Sequence, residues 1–195
     1  MCVKSMIRNI GVFAASSDTV DEVYRQAARE LGTAIGRRGL TLIYGGGGIG
    51  LMGECARSVK ASGGQVVGVI PRLLVNLELA WSAADELVET RDLRDRKAAL
   101  ESRSDGFIAL PGGLGTLDEL LEVMTLKQLG YQDKPVVLLN VEGFFDPLLA
   151  FLGRLADLGF MRRHALDLFN VTFSAEAALD YVTQYIPQDP PPVWF

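Results

Sequence analysis

Residues 111–119 read Pro111, Gly112, Gly113, Leu114, Gly115, Thr116, Leu117, Asp118 and Glu119, directly after the apolar run 106–110. A glycine-rich turn between a buried strand and a helix presents unpaired backbone N–H groups, and such groups bind anions. Gly112, Gly113 and Gly115 have no Cβ, so their backbone can approach a phosphate closely. Thr116, Asp118 and Glu119 then open the helix with a hydroxyl and two carboxylates. A phosphate cradle needs no carboxylate, and electrostatics disfavour one beside a phosphate. Asp118 and Glu119 therefore point to chemistry on something attached to the phosphate.

A second glycine loop, Gly45, Gly46, Gly47 and Gly48 with Gly50, follows the apolar run 40–44. Gly45, Gly47 and Gly50 fit the spacing G-x-G-x-x-G of a dinucleotide site. That fingerprint also wants an acid at the end of the next strand, which here runs Val69, Ile70, Pro71, Arg72. NAD is therefore disfavoured, while Arg72 leaves room for a phosphorylated ribose. No Gly-Lys pair occurs, which excludes a P-loop. Alternatively, these glycines serve only close helix–strand packing.

The charged run Asp92, Leu93, Arg94, Asp95, Arg96, Lys97 opens another helix. On a solvated face Asp92 and Arg96 would pair at i,i+4, worth only ~0.3–0.5 kcal/mol. The run precedes the strand that feeds the second glycine turn, so it can also reach the same site. Arginine there offers a planar fork suited to phosphate.

These groups need a frame. Apolar runs at 9–15, 40–44, 65–70, 106–110 and 135–140 read as strands, with shorter ones at 86–90 and 171–173. Helical periodicity occupies 20–38, 51–62, 92–103, 116–129, 145–158 and 175–185, and 72–84 is irregular. Continuous apolar strands alternating with helices predict an α/β fold, a Rossmann-like doubly wound parallel sheet with helices on both faces. Ligands of such sheets bind beyond the carboxyl ends of the strands. Both glycine turns should face that crevice. Residues 1–186 read as one domain, and the proline-rich stretch 187–195 as a tail.

The chain of 195 residues has a net charge of -5, which argues against binding a nucleic-acid polymer. Its two cysteines are too few for a disulfide framework and suit a reducing cytoplasm. The single histidine, His164, leaves no His-rich metal centre, and it and Cys55 read as structural. Phe13, Trp81 and Tyr131 read as packing groups, with Trp81 in the irregular stretch that could cover a base. No apolar run approaches the ~20 residues of a membrane span.

The motif 111–119, with Tyr44 to Gly47 and Gly50 to Gly53, resembles the LONELY GUY (LOG) family of cytokinin-activating phosphoribohydrolases, long mislabelled lysine decarboxylases. Stretches at 63–64, 68–71, 96–97, 128–130, 134–136 and 138–141 are also similar, so the resemblance runs from about 10 to 161. It implies hydrolysis of the N-glycosidic bond of a nucleoside 5'-monophosphate, releasing a base such as an N6-substituted adenine, and ribose 5-phosphate. Arg96 and Glu119 match the family's catalytic pair. Glu78, Lys97, the loop from Gly113 to Glu119, and Thr125 match its nucleotide-binding positions. The resemblance further implies no metal, no organic cofactor and a homodimer with residues of both subunits near each site.

The chain departs from the family at Arg94, where His is common, and at Leu126, where Trp is common. Ala14 to Ser17 replace Cys-Gly-Ser-Ser, and Asp118 replaces Glu. Glycosidic cleavage builds an oxocarbenium-like sugar. Glu119 would stabilise that cation and orient water, held ionised by the helix N-terminus. A non-catalytic nucleotide- or cofactor-binding carrier of the same fold is the alternative; it needs neither Arg96 nor Glu119. A pyridoxal-phosphate decarboxylase would need a Schiff-base lysine, and none stands out.

Overall fold

Asn9–Phe13 (β1) is buried at every position but the first, because neighbours lie on both its edges and both its faces. It pairs in parallel with Thr41–Tyr44 (β2) on one edge and Gly106–Ala109 (β5) on the other. The computed structural model describes residues 7–76 and 80–187. Outward from β2 lie Gln65–Pro71 (β3) and Glu86–Thr90 (β4); outward from β5 lie Val136–Leu139 (β6) and Asn170–Thr172 (β7). The order β4-β3-β2-β1-β5-β6-β7 makes one sheet of seven strands, every ladder parallel. The chain winds out to β4, returns to the middle at β5, and winds out the other way. That reversal opens a crevice beyond the carboxyl end of β1, where such sheets bind ligands.

Side-chain alternation assigns the helices to faces. Ile10 and Val12 point into one core with Leu31 and Ile35 of Glu22–Arg37 (α1), Leu51 and Val59 of Gly50–Ala61 (α2), and Leu179 and Val182 of Ala175–Gln184 (α7). Phe13 and Phe107 point the other way, into Leu120 and Val123 of Leu114–Gln128 (α5) and Leu152 of Asp146–Asp157 (α6). Leu100 of Leu93–Arg103 (α4) covers Ile43, Val67 and Val69 on that second face. Each fully buried leucine or isoleucine contributes about 1.5–3 kcal/mol. On the first face α1 and α2 approach backbone to backbone: a methyl at Gly32 would overlap the Cys55 carbonyl oxygen.

The doubly wound sheet agrees with the sequence reading, and the differences are local. The irregular stretch contains a short helix, Arg72–Asn76 (α3), and then an antiparallel bridge from Ala80 to Gly47. Of the two residues read as structural, His164 lies exposed in the 3-10 turn Arg163–Asp167 and Cys55 is buried. Tyr131 is exposed and packs no core. Glu78 and residues 188–195 of the tail lie outside the described residues. Among the described residues, no helix is long and apolar enough to cross a membrane.

Candidate active site

A cleft of about 450 Å3 lies at the carboxyl ends of β1, β2, β3 and β5. Its walls are Ala14 to Ser16 after β1, Gly45, Gly47 and Ile49 after β2, and Met52, Ile70 and Leu74. Opposite them stand Arg96 of α4 and, from the β5 turn and α5, Gly113 to Thr116 and Glu119. Both glycine turns thus reach one cleft.

Helix α5 begins at Leu114, with Gly113 as its N-cap, two residues earlier than Thr116. Glycine is an acceptable N-cap, so the helix extends back to it. The first turn therefore carries no acidic residue. The N–H groups of Leu114, Gly115 and Thr116 have no intrahelical acceptor there and stand on the cleft wall. Thr116 is buried, and a methyl at Gly112 would overlap its hydroxyl, so Gly112 makes room for Thr116.

Glu119 sits in the second turn and faces the cleft. Its Oε1 accepts a hydrogen bond from Arg96 Nη1 at 2.6 Å, with the side chains 11% and 15% exposed. Arg96 Nε also donates to the Val69 carbonyl at 3.1 Å. Asp92 does not pair with Arg96: its carboxylate caps α4, accepting from the Arg94 and Asp95 N–H groups at 2.8 and 2.9 Å. Asp95 pairs instead with Arg91. Asp92 at the N-cap is held by free N–H donors, which leaves Arg96 free to turn inward.

Burial pushes the Glu119 carboxyl above its ordinary value; the charge and hydrogen bond of Arg96 oppose this, while Asp118 and Glu122 reinforce it. This reverses the expected lowering by the helix terminus. Glu119 lies beyond the first turn, where the dipole fades, and desolvation takes over. What favours the ionised form is Arg96.

The other expected residues divide. Lys97 Nζ turns away to Asp118 Oδ1 at 3.2 Å and Glu122 Oε2 at 3.1 Å. Asp118 is exposed, and neither it nor Leu117 lines the cleft. Thr125 donates to the Leu121 carbonyl at 2.7 Å and borders a shallow outer depression with Asp118, Leu121, Glu122 and Leu126. Gly46 adopts φ +79°, which glycine alone reaches easily, and its carbonyl accepts from the Trp81 N–H at 2.8 Å. Trp81 packs against Gly48 and the core outside the cleft lining. The N-terminus of α2 is closed: Asp18 Oδ1 accepts from the Gly50 N–H at 2.8 Å.

Residues 52–182 match the family described as "possible lysine decarboxylase". The cytokinin riboside 5'-monophosphate phosphoribohydrolase LOG1 of Arabidopsis thaliana is 43% identical over 188 residues, which cover 96% of this chain and 88% of that protein. The chain belongs to the LOG family. Its likeness to a second LOG protein of Arabidopsis thaliana, LOG5, is 42% over 185 residues, 95% of this chain and 81% of that one. Among solved structures, the molybdenum cofactor carrier protein of Chlamydomonas reinhardtii superposes on this LOG-family fold with a TM-score of 0.69. There the identity is 26%, over 91% of this chain and 97% of that chain.

Sequence reasoning missed two parts of this LOG-family cleft. Ile49, Met52, Ile70 and Leu74 form an apolar wall from separate elements; Met52 and Ile70 lie within stretches that resemble the family, but nothing in those stretches marks them as lining one wall. Asp18 lies 32 residues from its partner Gly50, and nothing short of the fold brings them together.

Proposed function

We propose that this LOG-family chain hydrolyses the N-glycosidic bond of N6-modified adenosine 5'-monophosphate, releasing the free base and ribose 5-phosphate. The observation that carries the reading is the Arg96–Glu119 pair standing in one cleft with the open N-terminus of α5. The N–H groups of Leu114, Gly115 and Thr116 hold the 5'-phosphate, which positions the sugar from a distance. Glu119, ionised beside Arg96, faces the positive charge that develops on C1' and orients the attacking water. Water adds at C1' as the C1'–N bond breaks, and the departing base leaves with a proton. Arg96 holds Glu119 and reaches the ribose or leaving base. The apolar wall from Ile49 to Leu74 suits a base carrying an apolar N6 group. The volume lies within the ~300–1,000 Å3 usual for small-molecule sites.

Two other readings are less well supported. A decarboxylase using pyridoxal phosphate needs a lysine, and none lies among the described residues lining the cleft. A carrier needs no carboxylate–guanidinium pair. Glu78 remains assigned to the nucleotide by resemblance alone, and Lys97 as a support to the α5 carboxylates. For the assembly we propose a homodimer: Leu114, Leu121 and Thr125 lie exposed on one side of α5, with Leu114 86% exposed. On that outward side Thr125 can meet a nucleotide only across an interface. A reducing cytoplasm suits the free, buried Cys55.

The test is product analysis by chromatography after incubation with AMP and with N6-isopentenyl-AMP. Free base released well above the AMP rate from the modified nucleotide supports the reading. Equal release means a general nucleotide phosphoribohydrolase, and binding without release means a carrier.

A further inference from the structure

We infer that Gly45 is a positioning residue for Arg96 and not a phosphate ligand: the absence of its side chain lets the guanidinium reach the Val69 carbonyl and Glu119 at once. The inference rests on the proposed reaction only for its kinetic readout.

Arg96 is held on its other sides by the Val69 carbonyl at 3.1 Å through Nε and by Glu119 at 2.6 Å through Nη1. A methyl on Gly45 would overlap Nη2, well inside van der Waals contact. At an exposed arginine this would cost little, since the end of the chain swings aside. Here the fork is rigid and planar, so backing away from Gly45 pulls it off both acceptors. The fold itself should tolerate the change. The atoms that such a methyl meets, Nη2 and the Met52 Sδ at 3.1 Å, belong to side chains and not to backbone, and Gly45 is not among the glycines with positive φ.

The rest of the loop is engaged with protein. The Gly50 N–H donates to Asp18, the Gly46 carbonyl accepts from the Trp81 N–H, and the Gly48 carbonyl accepts from Arg57 Nη1 at 2.8 Å. With the α2 terminus closed by a carboxylate, the loop repels a phosphate at the very position where a dinucleotide loop would attract one. It serves as the back wall of the arginine.

The groups that face Glu119 are Arg96 from α4 and Asp118 and Glu122 from α5, the last two each paired with Lys97. Arg96 alone lowers the Glu119 carboxyl, so its displacement must raise it.

The test compares wild type with Gly45→Ala, titrating Glu119 by NMR in protein labelled with carbon-13 glutamate and free of ligand. Glu119 should titrate at higher pH in the variant; the same midpoint in both overturns the inference, whether or not the protein turns nucleotides over. With turnover, kcat should fall about 100-fold, as for a catalytic group misplaced by about 1 Å, while KM stays nearly constant and the acidic limb moves to higher pH. A raised KM with kcat and titration unchanged makes Gly45 a phosphate ligand instead. In an Arg96→Lys background, which has no Nη2, Gly45→Ala should add almost nothing. An equal effect in both backgrounds, or failure to fold in both, overturns the inference. Failure to fold with Arg96 alone supports it. A wild type that releases no base defeats the proposed reaction and leaves the titration standing.

Discussion

The Asp18 carboxylate accepts a hydrogen bond from the Gly50 N–H at 2.8 Å, so the N-terminus of α2 is occupied by the protein's own anion. The N-terminus of α5 faces the same cleft with Gly113 as N-cap and no side-chain cap. Two glycine turns that look alike in sequence are therefore electrostatically unequal. Asp18→Ala should cost about 1 kcal/mol of stability, the usual value of a cap, and leave the KM for nucleotide unchanged. Urea unfolding and steady-state kinetics check the two halves of this expectation.

Glu119→Gln keeps the shape of the side chain and a hydrogen-bonding oxygen for Arg96, but removes the charge that the sugar cation needs. Nucleotide affinity by calorimetry should be retained while kcat falls at least ~100-fold, the scale of losing one preorganised electrostatic group. Lost binding with intact hydrolysis would refute the assigned role.

Arg96→Ala should abolish turnover and reshape the pH dependence of stability. The Glu119 carboxyl is raised in the folded protein by burial, so folding favours its neutral form. Well below the ordinary carboxylate range, both folded and unfolded chains are protonated and no penalty exists. As pH rises through that range the unfolded chain ionises first, and stability falls until Glu119 ionises in the fold. Arg96 limits this loss. Without it the loss deepens, by about 3 kcal/mol near neutrality for an unpaired buried charge, and much less at about pH 4. Denaturant unfolding at both pH values measures the difference; equal destabilisation at the two would contradict the account.

Leu121→Asp places a charge on the exposed side of α5 that carries Leu114 and Thr125. A dimer joined there should dissociate, read as a drop in mass by sedimentation, with the monomer's helix content unchanged. An unchanged mass assigns the contact to another surface.

The sheet was legible because β1, β2, β3, β5 and β6 are continuous apolar runs between helical patterns, and burial on both faces writes that signature directly into composition. The start of α5 was read late because Thr116 looks like a cap, whereas Gly113 takes that place and buries Thr116 in the helix. Arg96 was ambiguous for a similar reason. Its spacing from Asp92 suits an ion pair, and only the competition of the Arg94 and Asp95 N–H groups for that carboxylate sends the arginine inward. The raised Glu119 carboxyl was not legible at all, since burial depends on how α4, α5 and the loop after β2 close around it.

The charged pair straddles β5: Arg96 stands on the helix before it and Glu119 on the helix after it. All of β5 is buried, and it is bonded on both edges to β1 and β6. Amides in such a strand exchange with solvent only when the whole molecule opens. Heat should therefore not loosen the cleft ahead of the fold, and thermal inactivation should run along the same curve as global unfolding.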